Sequence, residues 1–162
     1  ELEALGIYEV VIDNTNLKSN EYYINTNQSF DFADGVVTAS YGVATAKPLD
    51  DVLFTAQDET DGLGTEGEVK QPGIGQGHID TINAHAGGIL QPTDWMVVRA
   101  AEGGTAVPSD IATWRAAVRT KSNDMCTAID GAADVDALAA LYEYNDAEPP
   151  VRPLGEFPEL GA

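Results

Sequence analysis

The chain has 162 residues, enough for one domain or two small subdomains with a shared core. Its 27 acidic residues against 8 Lys and Arg give a net charge of −19, which argues against nucleic acid or an anionic membrane surface as the main partner. A hydrophobic share of 43% with only 22% charged residues is that of a folding chain, not of a disordered acidic tail.

No apolar run approaches the ~20 residues of a membrane span, so membrane insertion is not expected. No basic-then-apolar signal pattern opens the sequence. A single cysteine, Cys126, rules out an internal disulfide framework or a cysteine metal cluster and reads as a small buried helix residue.

The first third reads as strands. Tyr8, Val10 and Ile12 alternate with Glu9, Val11 and Asp13, and the polar stretch from Asn14 to Asn20 ends that run. In "QSFDFADGVVTASYGVAT", Asp34-Gly35 separates two alternating runs, the signature of a two-residue hairpin loop whose central residues need positive φ. That loop pairs Ala33 with Val36, Phe32 with Val37 and Phe30 with Ala39. Phe30, Phe32, Val37, Ala39, Tyr41 and Val43 then share one face, expected buried, and Ser29, Asp31, Thr38 and Ser40 the wet one.

Val52-Leu53-Phe54 fits either a short strand or a helical turn. From Gln57 to Gly77 the chain is rich in Gly and acid without apolar periodicity, and is expected to be a long loop or linker.

Helical spacing begins after it. Ile79, Ile82, Ala86 and Ile89 form one apolar stripe, with Gly87-Gly88 weakening its last turn. Thr93 is placed to cap a short helix carrying Asp94, Trp95, Val98 and Ala101, which Gly103-Gly104 stops. Pro108 suits a first turn, and Ile111, Trp114, Val118, Ser122 and Met125 then share a stripe, with Arg115, Arg119 and Lys121 outside it. The two helices are expected to pack as an antiparallel pair turning at the glycines. Asp134 is placed to cap a last helix with Val135, Leu138, Leu141 and Tyr142. The proline-spaced "EPPVRPLGEFPEL" reads as an extended strap.

The predicted fold class is therefore α+β. An N-terminal antiparallel sheet with its hairpin at Asp34-Gly35 (1–56) is followed by a linker (57–77), a bundle of short helices (78–146) and an extended Pro-rich tail (147–162).

Motifs for chemistry are weak. "GIGQGH" (Gly73 to His78) lacks the G-x-G-x-x-G spacing, the preceding strand and the lysine of a phosphate loop. His78 and His85 lie two turns apart, roughly 10 Å at 1.5 Å per residue, too far to share a metal. "QDETDG" (Gln57 to Gly62) has Thr60 where a calcium loop needs a carboxylate or amide. No nucleophile elbow or S-x-x-K run is present. The expectation is a non-enzyme without metal or cofactor.

Trp95 and Trp114 both fall on apolar stripes and read as packing residues. Arginines on the solvent face of so acidic a chain either pair internally or meet an acidic partner.

Three stretches resemble a known group. "ELEALGIYEV" (1–10), "TDWMVVRAAEGGTAVPSDIATWRAAVR" (93–119) and "VRPLGEFPEL" (151–160) are similar to small tailed-bacteriophage proteins described as tail-fibre assembly proteins or tail-fibre-associated virion proteins. The matching positions are Leu5, Gly6, Ile7, Tyr8 and Val10, then Asp94, Trp95, Arg99, Pro108, Arg115 and Arg119. The glycine-rich stretch containing "GIGQGH" departs from that pattern, which favours a continuing helix there.

The resemblance implies a structural or assembly protein of the tail, located in the virion or in the host cytoplasm during assembly, whose partners are phage tail or tail-fibre proteins. The docking surface expected on that reading comprises Trp95, Arg99, Trp114, Arg115 and Arg119, with Arg152 and Phe157 of the strap as a clip; self-association into a homo-oligomer stays open. Two alternatives remain at this point. One is a capsid decoration protein, and the other a glycan-binding module stacking sugars on Tyr22, Tyr23 and Tyr41.

Overall fold

The computed structural model describes residues 5–26 and 28–161. The first four residues of the "ELEALGIYEV" stretch lie outside the described residues. The fold is α+β, with short strands and one five-residue helix first and the longer helices after. It divides into two compact units, one up to Lys47 and one from Pro48 onward. The expected boundary lay nine residues later, at Ala56.

The first unit is built on a three-stranded sheet of β1 (Glu9–Asp13), β3 (Ser29–Ala33) and β4 (Val36–Ser40), in the order β1-β4-β3. The β3–β4 hairpin has the anticipated register, Ala33 to Val36, Phe32 to Val37 and Phe30 to Ala39. Its loop residues Asp34 and Gly35 take φ of 51° and 80°, the left-handed pair that an Asp-Gly loop tolerates and most residue pairs do not.

Two corrections follow. The sheet is mixed and not wholly antiparallel, because β1 runs parallel to β4. Parallel neighbours require a long crossover. Here the connection between β1 and β3 supplies it and contains β2 (Tyr23–Ile24), which pairs with β5 (Thr45–Ala46) in a small second sheet. In that connection Asn25 clamps the loop, accepting from the Lys18 amide (3.0 Å) and donating to its carbonyl (2.7 Å).

The second correction concerns burial. Phe30 and Phe32 are 65% and 55% exposed, and Val43 is exposed as well; only Ala39 of the expected apolar face is buried. Alternation assigns side chains to faces but does not supply a covering layer.

In the second unit, β6 (Val52–Leu53) pairs antiparallel with β7 (Val69–Gln71). Between them lies α1 (Ala56–Thr60), so the stretch expected to be a bare linker carries structure. Polar capping holds it instead of apolar periodicity. The Thr55 hydroxyl accepts from the Asp58 amide while the Asp58 carboxylate accepts from the Thr55 amide, a reciprocal capping box. Lys70 of β7 donates to the same carboxylate at 2.6 Å, and these bonds hold the Asp58 carboxyl far below its usual range.

Helix α2 (Ile74–Leu90) starts inside "GIGQGH". The glycines there serve close packing. A Cβ at Gly73 would lie 2.2 Å from the Leu49 carbonyl oxygen, and the Gly75 amide donates to that carbonyl at 3.0 Å.

The core forms where α2 packs on α4 (Ser109–Asp130). Ile82 and Ala86 meet a stripe of Ile111, Val118, Met125 and Ile129, completed by Val135 and Leu138 of α5 (Val135–Ala140) and Leu154 of the tail. Asp134 caps α5 as expected, its side chain accepting from the Ala137 amide. The tail has no regular element but is not loose, since Leu154 is only 2% exposed and its amide donates to the Leu141 carbonyl.

Candidate docking surface on the third helix

A short 3-10 turn, Gln91–Thr93, leads from α2 into α3 (Asp94–Ala101). The helix ends as its glycines require. Gly103 takes φ of +84°, its amide donates to the Ala100 carbonyl, and the Gly104 amide donates to the Arg99 carbonyl, a Schellman closure. A Cβ at Gly104 would lie 2.8 Å from Arg99 Cγ, so the small residue also leaves room for the arginine stem.

Arg115 fixes the start of α3. Its guanidinium donates to the Leu90 carbonyl (2.8 Å), to the Thr93 hydroxyl and to the Asp94 carboxylate (2.7 Å). The sequence pattern put Arg115 on the solvent face; it is in fact 8% exposed and lies in register with Ile111, Val118 and Ser122. The reason is the set of acceptors left where α2 ends and α3 begins, which a buried cation can satisfy. Arg115 is thus a clamp and does not face a partner.

The reverse correction applies to Trp95. Read as a packing residue, it is 54% exposed, with Val98 one turn along also open. The Arg99 guanidinium stacks over its ring at 4.7 Å from the centroid. Arg99 Nε is buried without a hydrogen-bond partner among the described residues. Arg119 is exposed on α4, and among the described residues no carboxylate pairs with either arginine.

The expected antiparallel pair of α3 and α4 is not the main packing. The principal helix contact is α2 with α4, which leaves much of α3 uncovered.

The strap residues form a different arrangement. The Trp114 indole N–H donates to the Pro158 carbonyl at 2.8 Å, and Phe157 meets the His85 ring edge-on at 5.0 Å. A cleft beside the strap is lined by His85, Ile89, Trp114, Phe157 and Leu160. Arg152 pairs with Glu156 at 2.8 Å and lies over the Tyr142 and Tyr144 rings. Tyr144 donates to Glu156 at 2.6 Å. Partial burial raises the Glu156 carboxyl, but the bonds from Tyr144 and Arg152 and the charges of Arg152 and Lys121 outweigh it, and its pKa falls below the ordinary value.

Of the seven expected contact residues, Trp95 and Arg119 are therefore exposed and Arg99 is half-buried against the Trp95 ring, while Arg115, Trp114, Arg152 and Phe157 are engaged within the second unit. His78 is half-buried, its Nδ1 hydrogen-bonded with the Tyr142 hydroxyl at 2.9 Å. Of the three tyrosines in the glycan reading, Tyr22 and Tyr23 are buried and Tyr41 is half-buried.

Among the described residues no group of three His, Cys, Asp or Glu side chains is disposed to hold a metal, and no helix is long and apolar enough to cross a membrane. Compared with protein-family models, curated proteins and solved structures, the chain matches none.

Proposed function

We propose that this protein is a structural or assembly component of a bacteriophage tail, docking to a tail or tail-fibre protein through α3. The supporting observation is the exposed Trp95 with Arg99 stacked on it. A tryptophan half open to water beside a guanidinium without a carboxylate partner among the described residues has the composition of an interface hot spot. The resemblance of residues 93–119 to tail-fibre-associated proteins supplies the partner class. In a chain with 27 acidic residues, arginines without a carboxylate partner among the described residues favour a partner face that combines an apolar recess with carboxylates.

The closing test is cross-linking mass spectrometry on intact particles and on infected-cell lysate. Cross-links from Lys121, two residues beyond Arg119, to a tail or fibre chain support the reading. Cross-links to the major capsid protein at hundreds of copies per particle replace it with capsid decoration, and absence from particle and tail intermediates alike refutes both. In a reconstituted pair, Trp95→Ala is expected to weaken binding by 2 kcal/mol or more, about thirtyfold.

A further inference from the structure

The main sheet of the first unit has an apolar face that no layer covers among the described residues. Residues paired directly across strands share a face, so Val10, Val37 and Phe32 form one row and Ile12, Ala39 and Phe30 the next. Tyr8 extends the surface, its ring meeting Phe32 at 4.6 Å. No charged side chain occurs in either row, while Glu9, Asp13 and Asp31 alternate onto the opposite side. Yet Ile12 is 60% exposed, and Val10, Phe30 and Phe32 more than half. A sheet with an apolar face is stable when a second layer buries that face.

We infer that the second layer is the same sheet of another copy, stacked face to face about a two-fold axis. Three features select this occupant. The first is area. Aromatic side chains bury about 150–250 Å² when fully covered. The open parts of Tyr8, Val10, Ile12, Phe30 and Phe32 then amount to roughly 500 Å² per copy and about 1,000 Å² for a pair, the lower bound of a specific interface.

The second is relief. The centre of the face is low, since Ala39 is 2% exposed, and Ile12 and Phe30 stand on either side of it. A ridge from one copy seats in the trough of the other, which is the self-complementarity a two-fold contact demands.

The third is charge. In a chain of net charge −19, the apolar rows are a place where two copies meet without bringing carboxylates together. The dimer concerns residues of the first unit and holds whether or not α3 docks to a tail component.

Sedimentation velocity over about three decades of protein concentration tests it, at low and at physiological salt. The expected result is a reversible monomer–dimer equilibrium that tightens with salt as the like charges are screened. Phe30→Asp abolishes the dimer with the circular dichroism of the chain unchanged. Ile12→Thr, which keeps a β-branched strand residue, raises the dissociation constant at least tenfold should Phe30→Asp fail to fold. Asp31→Asn, on the opposite side, leaves the dimer intact. A monomer throughout the range overturns the inference, and so does a dimer that survives both a folded Phe30→Asp and Ile12→Thr.

Discussion

Two residues separated by twenty positions invert what their spacing suggests. Trp95 and Arg115 both sit at positions where helical periodicity assigns the tryptophan inward and the arginine outward, and each does the opposite. Periodicity averages over a helix and cannot register that Leu90, Thr93 and Asp94 present three acceptors at one corner. A single guanidinium satisfies all three. The two side chains should therefore respond differently to substitution. Arg115→Met should destabilise the second unit by about 2–4 kcal/mol, because it strips a buried junction of its donor. Trp95→Ala should change stability by less than about 1 kcal/mol while removing the proposed docking contact. Chemical denaturation of both variants checks the contrast, and equal losses would place Trp95 in the core.

Elements were legible where local chemistry decides them. The Asp34-Gly35 loop and its register could be read from two residues and their flanking alternation, and the Asp134 cap from one. The stretch from Gln57 to Gly77 was opaque because it is held by a capping box, a lysine twelve residues away and a glycine packed on backbone, none of which leaves an apolar period. Gly73→Ala should be costly for that reason, by about 1–3 kcal/mol, since the new methyl group meets a carbonyl and not a movable side chain.

The strap adds a dependence on pH. The Glu156 carboxyl titrates below its ordinary value of 4.5 in the folded chain, so its contribution is complete above that value and is lost as the pH falls through the lowered one. The Tyr144 hydroxyl, raised above 10.0 by its bond to Glu156, keeps its contribution below that value and loses it as the pH climbs through the raised one. In a Trp95→Phe background Trp114 becomes the single tryptophan and reports on the Pro158 contact. Its emission should hold steady through neutral pH and shift to longer wavelength on acidification below the ordinary carboxylate range. Glu156→Gln should erase that acid transition; an unchanged transition would assign it to another carboxylate.

At the scale of the molecule, 27 acidic side chains against 8 basic ones make self-repulsion a general load on the fold. Raising salt from about 10 to about 150 mM should raise the melting temperature, as the Debye length shrinks from roughly 30 to 8 Å. The α+β class and the separation of strands from helices were readable from the sequence; the open faces of α3 and of the first sheet were not, because a residue's neighbours in sequence do not reveal what covers it. Leu154, finally, bears on how the chain is made. It is a core residue that arrives more than twenty positions after the last turn of α4. The helices of the second unit can form on the ribosome as they emerge, but their interior stays unfilled until residue 154 has cleared the exit tunnel. A chain truncated before that point carries a complete α3 on an incomplete body, and cellular quality control can recognise it by the apolar surface left bare.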